Sequence, residues 1–257
     1  MNKLHINIIA SGDGYQETAA WAAPTYVRQV GTIATVSVFV PEGEAHSDLL
    51  RAHSEKFAFR ICTFPFVPTA KVKFTTQLKC QGFSFAISQI RNEDLVLFVD
   101  ADTCCLRSFN LPSKWESAVL RGDIGLVPNR LNFHEQNPKV PWYLLPEEQL
   151  AYLNSGVILA SMNTADIFKQ FLELSSMPEF SLGRFNDQLV INYIIGKFCR
   201  HRLLLMDKAY NTEAKLIQAD TIIGHFLGGA GDLGKRNRKE KHKAKCLNIL
   251  TQQGLGL

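Results

Sequence analysis

Two carboxylates, Asp100 and Asp102, close a run of five apolar residues, Leu95-Val96-Leu97-Phe98-Val99. A run of that length with no polar break reads as a short strand buried on both faces, as in the middle of a parallel sheet. In open α/β sheets, ligands bind outside the carboxyl ends of the strands. Residues two apart on an extended segment point the same way, so Asp100 and Asp102 could share one site, about 7 Å apart along the chain. Carboxylates that close raise each other's pKa unless a cation lies between them. Hard oxygen ligands of this kind suit magnesium or manganese, often completed by phosphate oxygens. The plain alternative is a strand followed by an Asp-rich turn.

Four other stretches carry residue types that do chemistry. In Thr76-Gln77-Leu78-Lys79, Lys79 heads a line with Phe83, Ala86 and Ile90 at helical spacing. A lysine early in a helix opposes the dipole, so Lys79 is a candidate for an anion or a sugar hydroxyl. The other reading is a surface lysine laid along apolar neighbours. In Asn154-Ser155-Gly156-Val157, small and polar residues open a buried strand, and Gly156 would permit close approach of a ligand. An Asn-Ser-Gly turn explains the same residues. Asp187 and Gln188 start an apolar helix. They read either as an N-terminal acid favoured by the dipole with its neighbour, or as a carboxylate and an amide aimed at a substrate. His225 ends a strand, where a lone histidine reads as a satisfied core residue, but it precedes the glycines Gly228, Gly229 and Gly231, whose amides could approach phosphates.

The elements that must position these residues alternate. Leu4 to Ala10 reads as a strand, Gln16 to Gln29 as a helix that Pro24 can kink, and Ile33 to Val40 as a buried strand. A helix over Asp48 to Lys56, a strand over Phe57 to Cys62, and a helix capped by Thr75 or Thr76 and running to Arg91 follow. An irregular stretch is expected from Asp102 to Trp115 and a long loop from Pro128 to Pro146. Strands are expected at Ile124 to Val127, Ser155 to Ala160, Arg202 to Met206 and Thr221 to Phe226. Helices are expected at Ala165 to Leu174 and Asp187 to Lys197. Such alternation predicts an α/β fold with one mostly parallel central sheet and helices on both faces.

With 257 residues, 46% hydrophobic and 20% charged, the chain has the composition of a globular protein. No apolar run reaches the roughly 18 residues of a membrane span. Met1-Asn2-Lys3 leads into strand sequence without a signal-peptide pattern, and the six cysteines include no C-x-x-C pair. A cytoplasmic location is the expectation. Seven Lys or Arg and one Glu between Lys235 and Lys245 carry a local +6; removing that block from the net +4 leaves −2. This pattern predicts a near-neutral domain over 1–234 and a basic tail over 235–257. It argues against general nucleic-acid binding and for a local electrostatic contact, such as an anionic membrane surface.

In chain order, D-A-D-T at Asp100, N-S-G-V at Asn154, D-Q-x-x-x-N at Asp187 and H-F-x-G at His225 resemble the retaining glycosyltransferases of family 8, which include glycogenin. T-x-L-K at Thr76 is part of the same likeness, and Phe98 to Thr103 is especially similar to glycogenin. The resemblance spans the first strand to Gly228. It implies a GT-A fold, a UDP-sugar donor, and Mn²⁺ or Mg²⁺ held by Asp100, Asp102 and His225. It places Ala10, Ser11 and Tyr15 at the uridine, and Ala101, Lys79, Asn154, Ser155, Asp187 and Gln188 around the donor. Of these, Lys79, Asp187 and Gln188 are the catalytic candidates. Gly228 would lie at the diphosphate. The lysine that follows in the family falls here at Gly231, which leaves Lys235 or Arg236 as substitutes. The implied acceptor is a glycan, a lipid-linked sugar or a protein, with the enzyme cytoplasmic or peripheral on the inner membrane face. A D-x-D-T strand end also resembles the haloacid-dehalogenase phosphohydrolases, whose motif sits near the chain start. A nucleotide-sugar-binding protein without catalysis is a third reading, prompted by Gly231.

Overall fold

A computed structural model of the chain describes residues 3–68, 74–129, 152–182, 186–213 and 216–226, together with residues 244, 248, 251 and 252. The first half is a run of parallel units. Strand β1 (Leu4–Ile9) leads into α1 (Gly12–Val30), β2 (Ala34–Pro41), α2 (Asp48–Phe57), β3 (Arg60–Phe64), α3 (Phe74–Ser88) and β4 (Leu95–Val99). The second half contains β5 (Thr103–Cys105), α4 (Ser113–Leu120), β6 (Ile124–Pro128), β7 (Leu153–Ser161), α5 (Ala165–Ser175) and α6 (Asn186–Lys197). It closes with β8 (Leu203–Leu205), β9 (Thr212–Glu213) and β10 (Ile223–His225).

The central sheet has the order β3-β2-β1-β4-β7-β6-β8. Its pairs are parallel except β4–β7 and β6–β7, so β7 alone runs against the rest. Side chains alternate across each strand. Along β4, Leu95, Leu97 and Val99 enter a core with Tyr26 of α1, Leu50 of α2 and Trp115 of α4. Val96 and Phe98 enter a second core with Phe83 of α3, Phe168 of α5 and Ile191 of α6. Helices therefore cover both faces, as the unbroken apolar run required. Phe83, Phe98, Phe168 and Phe171 are each at most 1% exposed, and burial of a phenylalanine side chain contributes about 2 kcal/mol. The Phe83 and Phe98 rings lie 4.2 Å apart. That contact fastens α3 to β4, one helical turn beyond Lys79 and two residues before Asp100.

Several sequence expectations are corrected. Helix α2 runs through Phe57, so the strand expected from that residue starts at Arg60. Neither Thr75 nor Thr76 caps α3. The helix is already under way at Phe74 and ends at Ser88, short of Arg91. Helix α1 begins at Gly12 and continues through Pro24. The stretch read as irregular after Asp102 holds β5 and α4. β5 is too short to carry a periodicity of its own and is defined by its partner: Cys104 and Cys105 pair with Gly224 and Ile223 in a small sheet of order β5-β10-β9. No helix among the described residues is long and apolar enough to cross a membrane. The loop from residue 130 to 146, Gly228, Lys235 and the basic block lie outside the described residues.

Candidate metal and nucleotide-sugar site

The site forms where β1 and β4 end, at the point where the direction of connection changes; open α/β sheets bind ligands at such a point. The chain turns sharply after β4. Thr103 N and Thr103 Oγ1 both donate to the Asp100 carbonyl, at 3.1 and 2.6 Å. The Thr103 hydroxyl also meets Tyr26 Oη at 2.7 Å in the core beneath. The threonine of D-A-D-T thus locks the turn that presents both carboxylates. Ala101 between them is buried.

The small sheet delivers the third group. His225 pairs in register with Thr103, and Phe226 N donates to the Asp102 carbonyl at 2.9 Å. His225 Nε2 therefore lies 3.2 Å from Asp102 Oδ1 and 3.7 Å from Asp100 Oδ2. Oxygen and nitrogen atoms of Asp100, Asp102 and His225 all lie within 4.8 Å of one another. Neighbouring ligands around an octahedral ion at about 2.1 Å stand about 3 Å apart, so the cluster fits a small divalent cation. His225 Nδ1 is 2.9 Å from Asn211 Oδ1. An amide oxygen accepts, so it holds the proton on Nδ1 and leaves the Nε2 lone pair for a metal. Burial lowers the pKa of His225, but Asp102 and Asp100 raise it further than burial depresses it.

Gly156 has a different reason than the sequence suggested. A Cβ there would lie 2.6 Å from His225 Cε1 and 2.9 Å from Asn154 Oδ1. The approach that requires glycine is that of the histidine ring. Register between β6 and β7 shifts after Leu126: Leu126 pairs with Ile158 and Val127 with Asn154. The bulge between them holds Ser155, Gly156 and Val157, and Asn154 Oδ1 accepts from Gly156 N at 2.6 Å across it. Bulges re-aim side chains in this way beside functional sites.

Next to the triad, Lys79 Nζ bridges Asp100 Oδ1 at 2.6 Å and Asp187 Oδ2 at 2.7 Å. Ser155 Oγ donates to the same Asp187 oxygen at 2.7 Å, and Ser155 N reaches Gln188 Oε1 at 3.4 Å. Burial disfavours the Lys79 ammonium, but Asp100 and Asp187 outweigh it and hold the pKa above the ordinary lysine value. Asp187 is also strongly desolvated, yet Lys79 and Ser155 keep it below the usual carboxylate range. For Asp100 the balance goes the other way. Burial, Asp102 and Asp187 exceed the help of Lys79 and His225, and its pKa is raised. Three carboxylates and one ammonium sum to −2, a charge a divalent cation neutralises. The buried side chain of Asn192 fixes the frame, accepting from Leu153 N and donating to Leu153 O, each at 2.8 Å. This clamps the middle of α6 against the start of β7, about one and a half turns from Asp187, and so helps hold Asp187 at Ser155.

The proposed nucleoside residues follow β1. Ala10 and Ser11 are buried. Tyr15 is half-buried; burial, Asp102 and Asp100 all raise its pKa, which puts the first turn of α1 within electrostatic reach of the Asp pair. Glu44, which the sequence did not single out, accepts from Ser11 Oγ and, at 2.8 Å, from Gly12 N. Gln16 ties the same loop by donating to the Ala45 carbonyl and accepting from Ser47 N. Gly12, at φ 67°, supplies the left-handed turn out of β1. The structure thus brings together Lys79, Asp100, Asp102, Ser155, Asp187, Gln188 and His225, with Asn154 beside Gly156. It adds Asn211 and Glu44, which belong to no motif, and gives the last residue of D-Q-x-x-x-N, Asn192, a structural contact.

No family model and no curated protein matches the chain. Its structure is similar to solved glycosyltransferases. The apo mouse xyloside xylosyltransferase 1 superposes with a TM-score of 0.59 at 13% identity, covering 91% of this chain and 99% of that one. The galactosyltransferase LgtC, in complex with donor and acceptor sugar analogues, gives 0.61 at 16% identity, with 94% and 95% covered. The bifunctional glycosyltransferase WbbM gives 0.60 at 14% identity, with 98% of this chain and 52% of that chain covered. The chain has the GT-A glycosyltransferase fold expected from its motifs.

Proposed function

We propose that the chain is a retaining glycosyltransferase of the family 8 kind, transferring a hexose from a UDP-sugar to a sugar-bearing acceptor. One observation carries the reading. On a GT-A fold, β4 and β10 bring Asp100, Asp102 and His225 into a cluster that could hold a divalent cation, with the Lys79–Asp187 pair directly beside it. Mn²⁺ or Mg²⁺ held there would act as a Lewis acid on the diphosphate that leaves. Lys79 stands where its ammonium adds positive charge beside that leaving group while keeping Asp187 ionised. Asp187 and Gln188 lie beside the donor sugar and stabilise positive charge at the anomeric carbon. Tyr15 stacks on the uracil, and Glu44 fixes Ser11 at the nucleoside. Gly228 and Lys235 are assigned to the diphosphate, and the basic block over 235–245 to an anionic membrane surface beside the acceptor.

UDP is expected to raise the melting temperature only with Mn²⁺ or Mg²⁺ present, because the three protein ligands need phosphate oxygens to complete the shell. Equal stabilisation by UDP in a chelator would overturn the metal assignment. Release of UDP from a UDP-sugar supports transfer, whereas phosphate release from a phosphomonoester would favour the phosphohydrolase reading. Deletion from Lys239 onward should reduce binding to anionic vesicles and leave UDP-sugar hydrolysis unchanged. Vesicle binding that ignores added salt would exclude an electrostatic contact.

A further inference from the structure

A cavity of about 240 Å³ shares Asn154, Asn211 and His225 with the site above and is not lined by Lys79, Asp100, Asp102 or Asp187. One wall is the end of β6, at Pro128 and Asn129; the other is formed by residues between Asp207 and Glu213 and between Leu216 and Thr221, ahead of β10. Its ionisable lining is unequal, with Asp207, Glu213 and Asp220 against Lys208. The amides of Asn129, Asn154, Asn211 and Gln218, with the hydroxyls of Thr212 and Thr221, add neutral polar groups. Asn211 turns its Oδ1 to His225, and its Nδ2 is buried with no hydrogen-bond partner among the described residues. Leu216, 41% exposed, gives the lining an apolar patch.

Carboxylates and amides around an apolar patch are groups that take up vicinal hydroxyls, while the apolar faces of a sugar ring lie on the patch. The volume admits a sugar ring and little more. The net −2 of the lining repels a phosphate or a uronate. We infer that this cavity binds the acceptor and selects an uncharged sugar, rejecting phosphorylated and acidic ones. The inference rests on the transferase reading for the word acceptor, but the binding of the sugar does not depend on it. The contact with His225 puts a ring in the cavity against the residue that holds the metal, next to the donor. The basic block at 235–245 then serves to hold an anionic surface, not the sugar that reacts.

The test uses the full chain with Mn²⁺ and UDP, and separately without them, and follows glucose, galactose, their 6-phosphates and glucuronate by saturation-transfer NMR and calorimetry. Glucose or galactose should bind, and the charged sugars should bind at least roughly tenfold more weakly. Glu213→Gln with Asp220→Asn should narrow that gap roughly tenfold with UDP affinity unchanged. Gln218→Trp, at the exposed rim, should fill the cavity and abolish sugar binding, again without affecting UDP. A 6-phosphate that binds as tightly as its parent sugar overturns the inference. So does sugar binding that survives Gln218→Trp, or no binding of either neutral sugar at tens of millimolar. UDP binding is read in the same samples. Its loss would overturn the donor reading, while the sugar result still decides the cavity.

Discussion

Gly156→Ala tests whether the β7 bulge exists to seat His225. The new methyl would lie 2.6 Å from His225 Cε1 and 2.9 Å from Nδ1. Ordinary carbon–carbon contact is about 3.5–4.0 Å, so the ring must retreat by about 1 Å. It has little room to do so, since it is 5% exposed and held by Asn211 at 2.9 Å. Backbone strain does not confuse the result, because Gly156 is not among the residues with positive φ. Metal sites tolerate displacements of about 0.2 Å. Mn²⁺ affinity measured with UDP present should therefore fall by roughly 10–100-fold. Overpacking should also cost about 1–3 kcal/mol of stability. Gly125→Ala is the control. Its methyl would press Leu159 Cβ and Met206 Sδ, each at 2.9 Å, inside the core and away from the cluster. It should lose comparable stability and keep Mn²⁺ affinity. Calorimetric Mn²⁺ titrations and urea unfolding of both variants decide the matter. A folded Gly156→Ala protein with undiminished Mn²⁺ affinity, or a Gly125→Ala protein that loses as much, would refute the role of Gly156.

Lys79→Met leaves Asp100 and Asp187, both about four-fifths buried, without the ammonium between them. Removing one partner of a buried ion group costs about 3–5 kcal/mol, so urea unfolding should show a loss of that order, and a smaller one for Lys79→Arg. Asp102→Asn should abolish Mn²⁺-dependent UDP binding in calorimetry with the fold intact. Asp187→Asn should lower the transfer rate with UDP affinity nearly unchanged; equal loss of UDP affinity in both would contradict their separate roles. At the opposite end of the sheet, Asp94 accepts from Lys3 N at 2.9 Å and from His5. Burial raises its pKa, but these bonds outweigh it and hold Asp94 below the usual carboxylate range. A depressed folded pKa contributes stability above the unfolded value near 4 and loses it as pH falls through the folded value. The difference in unfolding free energy between wild type and Asp94→Asn, about 1 kcal/mol at neutral pH, should close in acid below that value, as followed by urea unfolding.

The chemistry of the site was legible wherever it is local. Asp100 and Asp102 stand two residues apart behind a run that can only be a buried strand, and one turn presents both. The same holds for Asp187 and Gln188 at the head of α6 and for the parallel first half, where each strand–helix repeat is written in its own periodicity. Tertiary structure decided what depends on residues far apart in the chain. β5 is three residues long and acquires strand character only against β10, more than a hundred positions later. That pairing, not any feature of residues 221–226, sets His225 beside Asp102. The reversal of β7 leaves no trace in its composition, because an apolar strand buried on both faces reads the same in either direction. Gly156 reads from sequence as a turn residue or a gap for a ligand. Only the position of the His225 ring shows what fills the space. Lys79 had two equal readings until α3 was fastened to β4 through Phe83 and Phe98, which put its ammonium between Asp100 and Asp187. Asn211 and Glu44 belong to no motif: their contacts, to His225 and to Ser11, arise from loops whose course is set by the sheet beneath them.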